Sequence, residues 1–252
     1  MMMILLFVCI GLAASSPLER IVNGADAYYG EFPSQAGLLI KSSNSHICGG
    51  VLVSRRYVLT AAHCVGQSAS YYRIVLGRHR RNNADSAEQY LDVTRITIHP
   101  GYNPNGAGFP NDMAMLELSA DANTGSNYIS TISLAETNDD FTGQTCTISG
   151  WGRLVGGGSL ANTLQKVEMT QISNAQCLSA MTNVGNAAIL SSHICVQTSG
   201  KSACNGDSGG PMYCNGKLAG ITSWVVGSCL TSYPSVYGRV SSFRSFIDPF
   251  LN

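Results

Sequence analysis

The stretch Gly206-Asp207-Ser208-Gly209-Gly210-Pro211 sets one serine among glycines, residues that let a backbone turn sharply and come close to a bound molecule. Taken alone it is a loop. A serine hydroxyl is a weak nucleophile until an imidazole takes its proton, so the stretch carries chemistry only if the fold brings a histidine to it. His63, in Thr60-Ala61-Ala62-His63-Cys64, is the candidate, because its small neighbours leave room around the ring and Cys64 can pin the turn. His46, His79, His99 and His193 are read as ordinary surface or core residues. A third group must hold the imidazole in one tautomer, which calls for a buried carboxylate beside an apolar strand. Asp112, in Asn111-Asp112-Met113-Ala114-Met115-Leu116, meets that description, although an Asn-Asp pair by itself is usually a turn former.

Composition narrows the setting. The 252 residues carry 15 basic and 15 acidic side chains, so the formal net charge is zero, and 44% are hydrophobic. With no basic run longer than the broken stretch at 78–81, nucleic acid and anionic membrane surfaces are excluded as partners. Residues 1–10 are nearly all apolar and are followed by Gly11, Ala13, Ala14, Ser15 and Ser16. That pattern reads as a secretory signal peptide over about residues 1–16, with its cleavage bond left open between Ala13 and Ser16. The apolar run is too short for a permanent anchor.

Cys9 falls inside that segment, leaving Cys48, Cys64, Cys146, Cys177, Cys195, Cys204, Cys214 and Cys229, an even number suited to four disulfides. Spacing alone does not choose among the pairings. A zinc site is the competing reading, but no CxxC pair occurs and His63-Cys64 is the one close Cys-His neighbour. No N-x-S/T sequon is present.

Short apolar segments bounded by Gly, Ser, Asn and Pro read as strands at 51–53, 57–60, 72–76, 90–98, 113–118, 145–149, 164–172, 218–223 and 235–240. Alternation at Ile96 and Ile98, and at Val167 and Met169, points to antiparallel barrels rather than βαβ units. Val240, Phe243, Phe246, Ile247 and Phe250 have helical spacing, with Pro249 near the end, so the C-terminus is expected to be a short amphipathic helix. A second short helix is expected to begin at Asn174 as N-cap and run through Cys177. The polar segment 119–143 is the expected connection between two halves, with the chemistry in the cleft between them.

Taken together, the chain resembles the chymotrypsin-fold, trypsin-like secreted serine proteases from Ile21 to its end. IVNG at 21–24, CGG at 48–50, LTAAHC at 59–64, NDMAMLEL at 111–118, GWG at 150–152 and CNGDSGGP at 204–211 occur in family order. The resemblance implies an all-β fold of two antiparallel six-stranded β-barrels with a C-terminal helix. It implies a protease domain over 21–252 after a propeptide at 17–20, and disulfides Cys48–Cys64, Cys146–Cys214, Cys177–Cys195 and Cys204–Cys229. It also implies a secreted, monomeric endopeptidase without a cofactor, with Ser208 as nucleophile, His63 as base then acid, Asp112 as orienting carboxylate, and the Gly206 and Ser208 N–H groups as oxyanion hole. Ser223 would support Asp112. Cleavage after Arg20 would free the Ile21 amine to pair with Asp207, which makes Asp207 structural.

The same resemblance places Ser202 at the floor of the specificity pocket and Ser223, Trp224, Val225 and Ser235 on its walls. No carboxylate stands at the floor, so a substrate Arg or Lys would be buried unpaired. Val225 and Ser235 occupy positions where deep-pocket members carry glycine, and a β-branched valine has little rotamer freedom to move aside. The expectation is elastase-like cleavage after small or medium apolar residues, with chymotrypsin-like cleavage after aromatic residues as the alternative. A non-catalytic binding homologue is the remoter one. Expected partners are protein or peptide substrates, an activating trypsin-like protease and protein inhibitors. Arg78 follows Leu76-Gly77, where some members bind calcium, so an Arg78–Glu88 ion pair is expected in place of a metal.

Overall fold

The computed structural model describes residues 22–185 and 187–251. The expected signal peptide and propeptide, with Arg20 and Ile21, lie outside the described residues. A two-residue strand, β1 (Ala25–Asp26), is followed by β2 (Gln35–Ile40), β3 (Ser45–Ser54), β4 (Tyr57–Thr60), β5 (Tyr72–Leu76), β6 (Gln89–Ile98) and β7 (Ala114–Leu118). Strands β2 to β7 close into an antiparallel barrel in the order β2-β3-β4-β7-β6-β5.

The second barrel is built from β8 (Thr145–Gly150), β9 (Gln165–Ile172), β10 (His193–Gln197), β11 (Pro211–Cys214), β12 (Lys217–Trp224) and β13 (Ser235–Arg239). Its order is β9-β10-β13-β12-β11-β8, and β8 pairs back onto β9 to close it. The two six-stranded barrels and the few helices are those the sequence implied. Strand β10 reaches only Thr170–Ile172 of β9, and β1 pairs with Gln165 and Lys166 at its other end.

Strand β9 shows why alternation is a usable signal, since its residues 165, 167, 169 and 171 are buried while 168 and 170 are exposed. In β6 the same signal misleads. Ile98 is exposed and Ile96 only half-buried, because a register shift between Val93 and Arg95 changes which side chains face the core. Strands β2, β10 and β11 escaped the sequence reading. Five of the six residues of β2 are buried, so no alternation is there to see.

The helix near 174 is α1 (Asn174–Ala180), but its cap is Ser173 and not Asn174. The Ser173 hydroxyl accepts from the Gln176 N–H, and the Gln176 side chain accepts from the Ser173 N–H, a reciprocal capping box. Asn174 instead donates to the Leu190 carbonyl. At the far end, a 3-10 turn (Val240–Phe243), α2 (Arg244–Ile247) and another 3-10 turn (Asp248–Phe250) form the expected terminal helix. Val240, Phe243 and Ile247 bury into the core of the first barrel, and the Ser54 hydroxyl donates to the Phe250 carbonyl. Strand β1 and the C-terminal helical segment therefore each pack against the opposite barrel.

All four implied disulfides are formed. Behind the first barrel, Arg78 donates to both carboxylate oxygens of Glu88, with side chains only 6% and 4% exposed. A buried ion pair loses most when one partner is removed, because the other charge stays desolvated. Glu88→Gln is expected to lower unfolding free energy by about 3 kcal/mol or more. Glu136→Gln should cost under about 1 kcal/mol, since Glu136 is 63% exposed and its partner Arg244 keeps Asp248. Denaturant unfolding measures both, and calcium is expected to leave the melting temperature of the parent protein unchanged.

Candidate active site

Strand β4 ends at Thr60, and a single 3-10 turn (Ala62–Cys64) carries His63 out of the barrel. The Cys48–Cys64 disulfide ties that turn to β3. Asp112 lies just before β7 and is 3% exposed. Its carboxylate accepts three hydrogen bonds: from the His63 backbone N–H at 2.9 Å, from His63 Nδ1 at 2.7 Å and from the Ser223 hydroxyl at 2.6 Å. Because the acceptor is a carboxylate, Nδ1 carries the proton. In the neutral ring Nε2 is then the nitrogen without a proton. Ser223 belongs to β12, so this carboxylate is held from both barrels.

Ser208 lines the same cleft as His63. Its carbonyl accepts from the Gly49 N–H of the first barrel, and the Gly209 N–H donates to Thr222 on β12, fixing the serine at the seam. Gly206 has a φ of +100°, and a Cβ there would lie 2.5 Å from Leu160 Cδ2, so no other residue fits without displacement. The Gly206 carbonyl accepts from His46 Nε2 at 3.0 Å. His46 was read as an ordinary residue. The structure gives it contact with the glycine two before Ser208, and burial pulls its pKa down to about 4, so it is a neutral donor there.

Asp207 is completely buried, and its carboxylate accepts from the N–H groups of Gly152 and Cys204. A Cβ on Gly150 or Gly152 would fall 2.2–2.3 Å from that carboxyl group, which explains the glycines of the GWG motif. Burial pushes the Asp207 pKa up from 3.8 to about 6, against the pull of the two N–H donors. Among the described residues no cation contacts it.

The cleft contains a cavity of about 320 Å³ that opens at His63 and Ser208 and is walled by Ser223, Trp224 and Val225. Ser202 and Ser235 do not line it. Both are buried, 3.3 Å apart, with the Ser235 hydroxyl accepting from the Ala203 N–H and the Ser202 hydroxyl donating to the Ala203 carbonyl. Phe109, unremarked in the sequence, also lines the cavity, with a φ of +53°. That backbone is strained for a bulky residue, and more so before a proline. The signal was the run Gly106-Ala107-Gly108-Phe109-Pro110, whose glycines and proline mark a tight turn. The one grouping of metal-type donors among the described residues is Cys48, His63 and Cys64. Its two sulfurs are bonded to each other, so neither is a thiolate.

Comparison with known proteins agrees with this geometry. Residues 21–247 match the trypsin family. A chymotrypsin-like serine proteinase of Haliotis rufescens is 45% identical over 94% of this chain and 92% of its own length. Chymotrypsin-like elastase family member 1 of Bos taurus is 36% identical over 91% of this chain and 88% of its own. Among solved structures, neuropsin, a serine protease of mouse brain, superposes with a TM-score of 0.81 at 33% identity, covering 91% of this chain and 99% of its own. The chain belongs to the trypsin family of serine proteases. It is an enzyme, a serine endopeptidase, and its substrates are proteins.

Asp112→Asn keeps the shape of the buried group but lets the wrong imidazole nitrogen carry the proton. Turnover is expected to fall roughly 10⁴-fold, as the Ser-His-Asp template describes, with a nearly unchanged melting temperature. Steady-state hydrolysis and thermal unfolding of one purified preparation test both halves of that statement.

Proposed function

We propose that the protein is an exported zymogen, activated by cleavage after Arg20, that cuts after small or medium apolar residues with Ser208 as nucleophile. The observation that carries the catalytic assignment is the 2.7 Å hydrogen bond from His63 Nδ1 to Asp112 in the cleft that Ser208 lines. In this reading the Ser208 hydroxyl attacks the scissile carbonyl carbon while His63 Nε2 takes its proton. The carbonyl oxygen becomes an anion and accepts from the Gly206 and Ser208 N–H groups. The intermediate collapses to an acyl-enzyme as the imidazolium gives its proton to the departing amine. Water, deprotonated by His63, then releases the acid and restores the serine.

Two features support the small-residue preference. Val225 lines the cavity, and no carboxylate is among the described residues that line it. A substrate guanidinium would be desolvated there without a counter-charge. Such an enzyme cuts its own Arg20-Ile21 bond poorly, so a separate trypsin-like protease is required for activation. The test is a peptide series with Ala, Val, Leu, Phe or Arg before the scissile bond, run on activated protein with Ser208→Ala as blank. Preference for Ala, Val or Leu is expected, and preference for Phe would establish the chymotrypsin-like alternative instead. Val225→Gly should raise the Phe-to-Val ratio of kcat/KM by about tenfold or more, as removing side-chain bulk from a pocket wall does.

The zymogen reading rests on the buried Asp207, a carboxylate whose natural partner is a cation. In the uncleaved chain Asp207 stays protonated up to about pH 6, whereas unfolding restores the ordinary value of 3.8. Between those values the folded state binds the extra proton, so its stability is greatest below about pH 4 and falls as pH rises through 6. The total loss is about 3 kcal/mol. Unfolding of the uncleaved Ser208→Ala protein from pH 4 to 8 should show that slope, and Asp207→Asn should remove it. Cleavage after Arg20 should also remove it, because the new ammonium pairs with the carboxylate.

A further inference from the structure

The cavity beside Val225 takes the residue before the scissile bond, so the departing segment leaves across the other flank of Ser208, past Gly206. That flank is formed by the hairpin in which Arg153 pairs with Leu160 in an isolated antiparallel bridge. Leu160 lies against Gly206, and the Arg153 N–H donates to the Asn205 carbonyl, so the hairpin borders residues 205 and 206 directly. Its outer side is clamped by Arg81, which donates from Nε to the Ala161 carbonyl at 2.6 Å and from Nη2 to the Leu160 carbonyl at 3.1 Å. Arg153 reaches the Gly158 carbonyl at 2.6 Å.

Among the described residues both guanidinium groups are held by carbonyls, and neither has a carboxylate within ion-pair distance, a lack they share with Arg95 and Arg239, which lie away from this hairpin, whereas Arg55, Arg56, Arg73, Arg78, Arg80 and Arg244 each have one. Burial and the neighbouring Arg78 both disfavour the charge on Arg81, which makes an incoming anion more welcome there. A guanidinium presents five N–H donors in a plane, and the carbonyls leave part of each fork unused.

The geometry points to the leaving-group side of the cleft as a site for an acidic side chain. Arg81 and Arg153 would select Asp or Glu among the first three residues after the scissile bond. This rests on the proteolytic reading of Ser208 and adds to it a second determinant, independent of the pocket beside Val225. The protein has no net charge, so the selectivity comes from where two unpaired cations stand and not from a general field.

The test uses activated enzyme and internally quenched peptides identical up to the scissile bond, with Asp, Asn or Lys at each of the three following positions. At one of these positions kcat/KM is expected to fall about threefold from Asp to Asn and about tenfold from Asp to Lys, the size of partly solvated charge pairs. High salt should shrink the spread. R81Q and R153Q should each compress the Asp-to-Lys ratio, raising the Lys peptide as the Asp peptide falls. A uniform loss on all peptides with the ratio intact would overturn the proposal, as would equal rates for Asp, Asn and Lys in the parent enzyme. Failure to cut any peptide of either series would instead overturn the proteolytic reading itself.

Discussion

A carboxylate taken out of water is tolerable only where donors replace its hydration, and Asp112 finds those donors in both halves of the molecule. His63 comes from the end of β4 in the first barrel, and Ser223 from β12 in the second. Separating the barrels would leave that charge buried against one side with its Ser223 bond broken. The same seam is stitched by the Ser149 hydroxyl donating to Gln35, by the Ser34–Tyr213 hydroxyl pair, and by the Gly49 N–H donating to Ser208. Thus the bonds that assemble the cleft are also bonds that hold the barrels together. Precision at the reactive groups follows from the packing of two rigid bodies rather than from loops.

Asp207 imposes the opposite kind of constraint. Its carboxylate has two backbone donors and total burial, a combination that leaves charge uncompensated in the described structure. The neighbouring sequence is shaped around it: Gly150 and Gly152 leave space, Trp151 is buried between them, and His46 donates to the carbonyl of the preceding Gly206. The residue beside Ser208 is therefore a buried carboxylate that no described cation offsets.

The short motifs were legible because each combines residue types that chemistry requires at fixed order, and strands with clean alternation, such as β9, announced themselves. What escaped had physical reasons. Strand β2 is buried on both faces and shows no period, while in β6 a register shift moved Ile98 to the surface. Ser173 was passed over for Asn174 because both are good caps, and only the Gln176 reciprocity decides between them. At the site, His46 and Phe109 carry no motif. One acts through a backbone carbonyl and the other through an unusual φ, and neither relation is encoded in local spacing. Strand β1 and the C-terminal helical segment each pack against the opposite barrel, an exchange that no local spacing announces.

That exchange of ends has a consequence for synthesis on the ribosome. The first barrel has all its strands by residue 118, yet Val240, Phe243 and Ile247, which complete its apolar core, emerge more than a hundred residues later. Until then a nascent chain exposes the surface those side chains cover. The apolar core of the N-terminal half is therefore completed only when the last dozen or so residues of the chain are in place.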